Sequence, residues 1–94
     1  MIIVSGKIYV KPGEREKFLA ASLEAIKQAR QSPGCSDFVV VADPVEPNRV
    51  NVYEEWDSEE QLLAFRGNGP DDGLYSLIER ASVARHSIAS SGPP

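Results

Sequence analysis

Apolar and polar side chains alternate along residues 2–10. Ile2, Val4, Ile8 and Val10 fall on one side and Ile3, Ser5, Lys7 and Tyr9 on the other, which predicts a β-strand with one strongly apolar face. Lys11-Pro12-Gly13 turns the chain. From Glu14 to Gln31 the positions Phe18, Leu19, Leu23 and Ile26 recur at helical spacing, while Glu14, Arg15, Glu16, Lys17, Glu24 and Lys27 fill the outer side, and Pro33-Gly34 ends the helix. The run Phe38 to Ala42 is strongly β-forming, Asp43-Pro44 and Glu46-Pro47 break it, and Val50 to Trp56 alternates as the returning strand of a hairpin. In Asp57-Ser58-Glu59-Glu60-Gln61 a second helix begins. Ser58 is expected to cap the amide three residues on, and Gln61 to bond back to the cap's own amide. Leu62, Leu63 and Phe65 form its inner side. Residues Arg66 to Gly73 read as a loop whose glycines suit a mobile lid, Leu74 to Arg80 as a short helical piece, and about Ser82 to Ala89 as a last strand.

The resulting order, βαββαβ, folds most simply as an α+β, ferredoxin-like unit: a four-stranded antiparallel sheet with both helices on one side. Residues 1–89 form one domain and 90–94 a flexible tail. The second strand is apolar on both faces through Phe38, Val39, Val40 and Val41, and Ile3 and Tyr9 lie opposite the first strand's main apolar row. A helix-free face of that character is expected to be covered by a second copy, sheet against sheet, in a symmetric homodimer.

Composition narrows the partners. Fourteen acidic residues against ten basic ones give a net charge of −4, and the basic residues are scattered, so no phosphate-binding surface and no nucleic-acid partner is expected. No apolar run approaches the ~20 residues needed to cross a bilayer, so no membrane partner is expected either. The N-terminus lacks a basic segment followed by an apolar core, and the one cysteine has no intramolecular disulfide partner, which reads as cytoplasmic. One His and one Cys, about fifty residues apart, show no metal-ligand spacing.

Several motifs carry a family resemblance. Pro33-Gly34-Cys35, then Phe38, then Asp43-Pro44-x-x-Pro47, then Val52-Tyr53-Glu54-x-Trp56-x-Ser58-x-Glu60-x-Leu62-x-Ala64 resembles the antibiotic biosynthesis monooxygenase domain family over about residues 2–89. The resemblance implies a dimeric α+β barrel similar to quinol monooxygenases. It also implies oxidation of quinol- or anthrone-like aromatics by dioxygen without metal, flavin or other cofactor. Many quinol-oxidising members have a His directly after the Ala corresponding to Ala64 and then a Ser-Pro-His segment; this chain has Phe65 and then Gly67-Asn68-Gly69-Pro70-Asp71-Asp72. In the haem-degrading branch of the fold, the aligned aromatic and the iron-ligating His would fall near Phe65 and Tyr75, which disfavours haem.

The chemistry itself asks little of a protein. The anion of an electron-rich aromatic can pass an electron directly to dioxygen, so the site need only bind the ring, stabilise the deprotonated form and exclude water. Trp56 and Phe65 suit the flat ring, Asn51 and Tyr53 can hydrogen-bond ring oxygens, His86 can move a proton, and Arg85 can hold an oxyanion. Each has a plainer competitor. A large aromatic at a strand end is commonly core, a lone His on a small or apolar face is commonly a satisfied core residue, and Arg85 suits a dimer ion pair. Asn51 and Tyr53 share one face of their strand and Glu54 and Trp56 the other, so all four line one cavity only if a bulge intervenes. Glu54 and Glu55 read as one solvated carboxylate and one paired with a basic neighbour, with a catalytic role as the alternative, and Cys35 as a small buried hydrophobe. Three functions stay open: a cofactor-independent monooxygenase, a non-catalytic dimer binding a small aromatic ligand, and an isomerase on the same fold.

Overall fold

The apolar face of the first strand is covered on one side only. In the computed structural model, which describes residues 1–68 and 73–94, β1 (Ile2–Val10), α1 (Arg15–Arg30), β2 (Cys35–Ala42), β3 (Arg49–Trp56) and α2 (Glu59–Asn68) follow in order. A 3-10 turn (Gly73–Leu77) and β4 (Ile78–Ser87) complete the chain. The four strands form one antiparallel sheet in the order β2-β3-β1-β4, the ferredoxin-like arrangement.

Register decides which side chains meet the helices. Val4 stands opposite Glu54 on β3 and Arg85 on β4, so Val4, Glu54 and Arg85 share one face. Ile3 stands opposite Glu55 and His86, on the other face. Two core clusters fill the helix side. One gathers Val4, Ala29, Phe38, Trp56 and Leu62, the other Val10, Phe18 and Val50. Gly6, at φ +152°, lies so close to the backbone of Ser82 and Val83 that a Cβ would collide with it, so β1 and β4 come together here only because residue 6 has no side chain.

Four expectations are corrected. Leu23 and Leu63 are half-exposed rather than inward. The buried seam of α1 runs through Phe18, Ser22 and Ala29, with Ala25 beside it, and these small residues let the helix approach the sheet and rotate Leu23 outward. Arg66 to Asn68 continue α2 instead of opening a loop, while positions 69–72 of the expected lid lie outside the described residues. The short helical piece ends at Leu77 and β4 starts at Ile78, four residues earlier than the pattern suggests, because Val10 pairs with Ile78 across a register shift after Tyr9. At the start of α2, Ser58 accepts a hydrogen bond from the Gln61 amide at 3.2 Å as expected, but the Gln61 carboxamide oxygen accepts one from the Ser58 hydroxyl instead of reaching the cap's amide.

Two arginines fasten α1 to the hairpin. The Arg15 guanidinium donates to the carbonyls of Asp43 (3.1 Å) and Glu46 (2.9 Å), and Arg30 Nε donates to the Phe38 carbonyl (2.9 Å). Gly34, at φ +85°, makes the turn between α1 and β2 and leaves its Cβ side to the Gln61 side chain.

Candidate functional site

Between the sheet and the helices lies a cavity of about 320 Å³, at the small end of the range for ligand sites, roughly 300–1,000 Å³. Val4, Ile8, Phe38, Val40, Val52 and Glu54 line it from the sheet and Phe18, Ser22 and Ala25 from α1; Phe65 and Arg66 of α2, with Leu74, Tyr75, Ile78 and Val83, complete the wall. Strand alternation explains the sheet side, since Val52 and Glu54 are successive helix-facing positions of β3 and Phe38 and Val40 of β2. The Ser22 hydroxyl is buried and donates to the Phe18 carbonyl at 2.8 Å, so it is satisfied within its own helix.

Among the described residues, Glu54 is the one acid in this wall. Burial pushes its carboxyl above the usual carboxylate range, against the opposing pull of the Trp56 hydrogen bond and the charge of Arg66. The indole N–H of Trp56 donates to Glu54 Oε1 at 2.9 Å. Trp56 is wholly buried behind the cavity, its ring tilted by 32° against Phe65 at 5.4 Å, and Phe65 meets Phe38 edge-on at 5.8 Å. A carboxyl in apolar surroundings, oriented by a fixed donor and facing an open space, is equipped to take a proton from a bound molecule.

The six residues singled out from the sequence divide between the two sides of the sheet. Trp56, Phe65 and Arg85 are on the helix side, where Phe65 lines the cavity, Trp56 backs it, and Arg85 pairs with Glu59 of its own chain at 2.9 Å. Asn51, Tyr53 and His86 are on the helix-free side. There Asn51 accepts from Arg49 Nε at 2.7 Å and donates to Asp43 Oδ1 at 2.9 Å, within the network that braces the hairpin loop. Tyr53 lies beside Glu55, and burial with that carboxylate's bond raises its phenol. His86 is exposed, with Ile3 as its cross-strand neighbour. Of the cavity's polar groups, Glu54 is legible in the sequence, whereas Ser22 and Arg66 carry no sequence signal of a site role. The signal of Glu54 is a charged position in the row Val50, Val52, Glu54, Trp56, where every other member is apolar.

The Cys35 thiol is half-buried and raised, mainly by burial, which keeps it in its unreactive form. Among the described residues no three His, Cys, Asp or Glu side chains gather as metal ligands, and no helix is long and apolar enough to cross a membrane.

Comparison with known proteins places this arrangement. A stretch of 55 residues, 58% of the chain, is 38% identical to an uncharacterized protein of Synechocystis sp. and spans 37% of that relative's length, so the chain matches little more than a third of it. A Deinococcus radiodurans structure provisionally designated an antibiotic biosynthesis monooxygenase superposes with a TM-score of 0.82 at 16% identity, covering 100% of this chain and 98% of that one. A Nitrosomonas europaea structure with the same provisional designation superposes with a TM-score of 0.79 at 17% identity, covering 96% and 100%. These two likenesses establish the shared fold. The family model described as antibiotic biosynthesis monooxygenase matches residues 1–70, reaching from β1 through the cavity-lining part of α2, and the chain accordingly belongs to the antibiotic biosynthesis monooxygenase family.

Proposed function

We propose that the protein is a cofactor-independent monooxygenase that binds a small quinol- or anthrone-like aromatic in the helix-side cavity and oxidises it with dioxygen, with Glu54 as the base. The single observation that carries this reading is Glu54: a half-buried carboxyl in an otherwise largely apolar cavity, held by the Trp56 indole N–H. In its ionised form Glu54 takes the proton of the substrate's acidic C–H or O–H. Arg66, the cation in the same wall, favours the anion so formed.

For an anthrone-like CH2 group the balance closes without another reductant. The carbanion passes one electron to dioxygen, and the two radicals couple to form a C–O bond. The O–O bond of the resulting peroxide then breaks as water leaves with the two former CH2 hydrogens. The product is a ring carbonyl holding one oxygen atom, and the substrate has supplied all the electrons.

The same reading makes the protein a homodimer through its helix-free sheet face, where Tyr53 and Val39 pair across β3 and β2, Ile3 and Val41 stand diagonal to that pair on the same face, and Val41 is 47% exposed. The free, half-buried Cys35 and the acidic composition fit the cytoplasm.

Oxygen uptake by the purified protein with anthrone and with 1,4-naphthoquinol tests the reading. Uptake above autoxidation that disappears in Glu54→Gln supports it. Uptake that is equal with and without protein for both compounds rejects it.

A further inference from the structure

Phe65 is the one described side chain that lines two cavities. On its inner side is the space described above. On its outer side a second space, of about 340 Å³, runs between the C-terminal part of α1 and α2, bounded by Gln28, Ser32, Pro33, Gln61 and Ala64. The phenyl ring packs against Trp56 and Phe38, and the neighbouring seam is closed by the fully buried Ala29 and Leu62, so at this point Phe65 is the wall that the two spaces share. The two sides differ chemically. The inner space is apolar apart from Ser22, Glu54, Arg66 and Tyr75, whereas the outer one presents two carboxamides and a hydroxyl.

We propose that Phe65 is a specificity-determining residue: it confines the substrate to a ring system without a long substituent directed between the helices, and a smaller side chain at position 65 joins the two spaces into one elongated site. The inference rests on the proposed binding of the aromatic ring in the inner cavity. A ring carrying an alkyl chain meets the Phe65 ring where the chain would leave. With Ala at position 65 the chain fills the vacated volume, replacing contacts that would otherwise be lost to a void, and its end reaches Gln28 and Gln61.

The test measures binding, not turnover, so that it stands apart from the oxidation chemistry. Calorimetric titrations compare 2-methyl-1,4-naphthoquinone with the same ring bearing a decyl chain, on the wild type, Phe65→Leu and Phe65→Ala. The wild type is expected to bind the methyl compound at least about tenfold more tightly than the decyl one, a discrimination that a few methylenes in a shaped pocket can produce. Phe65→Ala is expected to remove or reverse the preference, and Phe65→Leu, which retains most of the side-chain volume, to move it part of the way. The Gln28 and Gln61 side-chain amide resonances should shift with the decyl compound in Phe65→Ala and stay in place in the wild type. The inference is overturned if the preference is the same in all three proteins, or if those amides do not respond in Phe65→Ala. Should the methyl compound bind none of the three, ring binding in the inner cavity is wrong and the inference goes with it. Should the preference follow residue 65 while no oxygen is consumed, the inference holds and the oxidation reading alone fails.

Discussion

Trp56 and Glu54 lie two residues apart on the helix-facing side of β3, and the indole N–H of the first donates to a carboxylate oxygen of the second at 2.9 Å. The larger residue is entirely buried and the smaller one reaches the cavity wall, so the tryptophan holds the acid in place without itself lining the cavity. This pairing makes the two residues separable by experiment.

Glu54→Gln keeps the oxygen that accepts the indole N–H but removes the base. Oxygen uptake with anthrone is expected to fall by about 10²–10⁴-fold, the usual contribution of a positioned general base. Because the folded state holds the Glu54 carboxyl above its ordinary range, the stability of the wild type linked to this group is fully present below the unfolded value and is lost as pH rises through the folded one. The Gln variant has no such loss. Thermal melts of the two proteins from pH 4 to 8 should therefore show Glu54→Gln gaining on the wild type as pH rises.

Trp56→Phe removes the donor and leaves the carboxylate oxygen less well satisfied. Losing a hydrogen bond to the charged form raises the Glu54 carboxyl further, so the acid limb of the activity profile should move to higher pH. A stability loss of about 1–3 kcal/mol is expected from the unsatisfied acceptor, with the lost indole volume adding to it. Urea unfolding measures the loss, and oxygen uptake against pH measures the shift; an unmoved acid limb would show that the indole does not tune Glu54.

At the hairpin loop, Asp43 accepts from the amides of Val45 (3.0 Å) and Glu46 (2.9 Å) and from Asn51 Nδ2 (2.9 Å), which holds its carboxyl down at about 2. For a lowered acid the linked stability is present above the unfolded value and lost as pH falls through the folded one. The melting temperature of Asp43→Ala should lie below that of the wild type at pH 7, and the difference should close as pH drops from near 4 towards 2. A gap that stays constant with pH would mean that Asp43 acts only through its shape.

Gly6→Ala sets a methyl group against the backbone of Ser82 and Val83. Backbone cannot rotate away as a side chain can, so β4 must separate from β1 locally. The expected cost is about 2–4 kcal/mol, in the range of severe core strain. Hydrogen exchange should show the β4 amides losing protection before those of β2.

Ile3→Glu and Val39→Lys each place a charge on the helix-free sheet face. If two copies meet there, either variant is expected to sediment as a monomer at concentrations where the wild type is a dimer, with the helix-side core unaltered by circular dichroism. A wild type that sediments as a monomer at micromolar concentration would reject the interface.

The periodicity of the chain by itself determined the four strands, the two main helices and their order. Alternation in Ile2 to Val10 and in Val50 to Trp56, the Pro-Gly turn after α1 and the Ser58 cap are local signals, and local stereochemistry produces them wherever the segment lies. The motifs from Pro33 to Ala64 likewise carried the family. The end of α2 and the start of β4 escaped that reading because both depend on partners: Val10 pairs with Ile78 across a register shift no neighbouring residue announces. Leu23 looks inward by pattern, but a seam of Ser22, Ala25 and Ala29 set the rotation of α1 once it met the sheet. The candidate site shows the same division. Alternation already put Asn51 and Tyr53 on one face and Glu54 and Trp56 on the other, yet only the tertiary structure decided which face the helices cover. That choice is a property of the whole sheet, because it follows from where α1 and α2 together bury the most apolar surface, and it made a cavity carboxyl of Glu54 and a hairpin brace of Asn51.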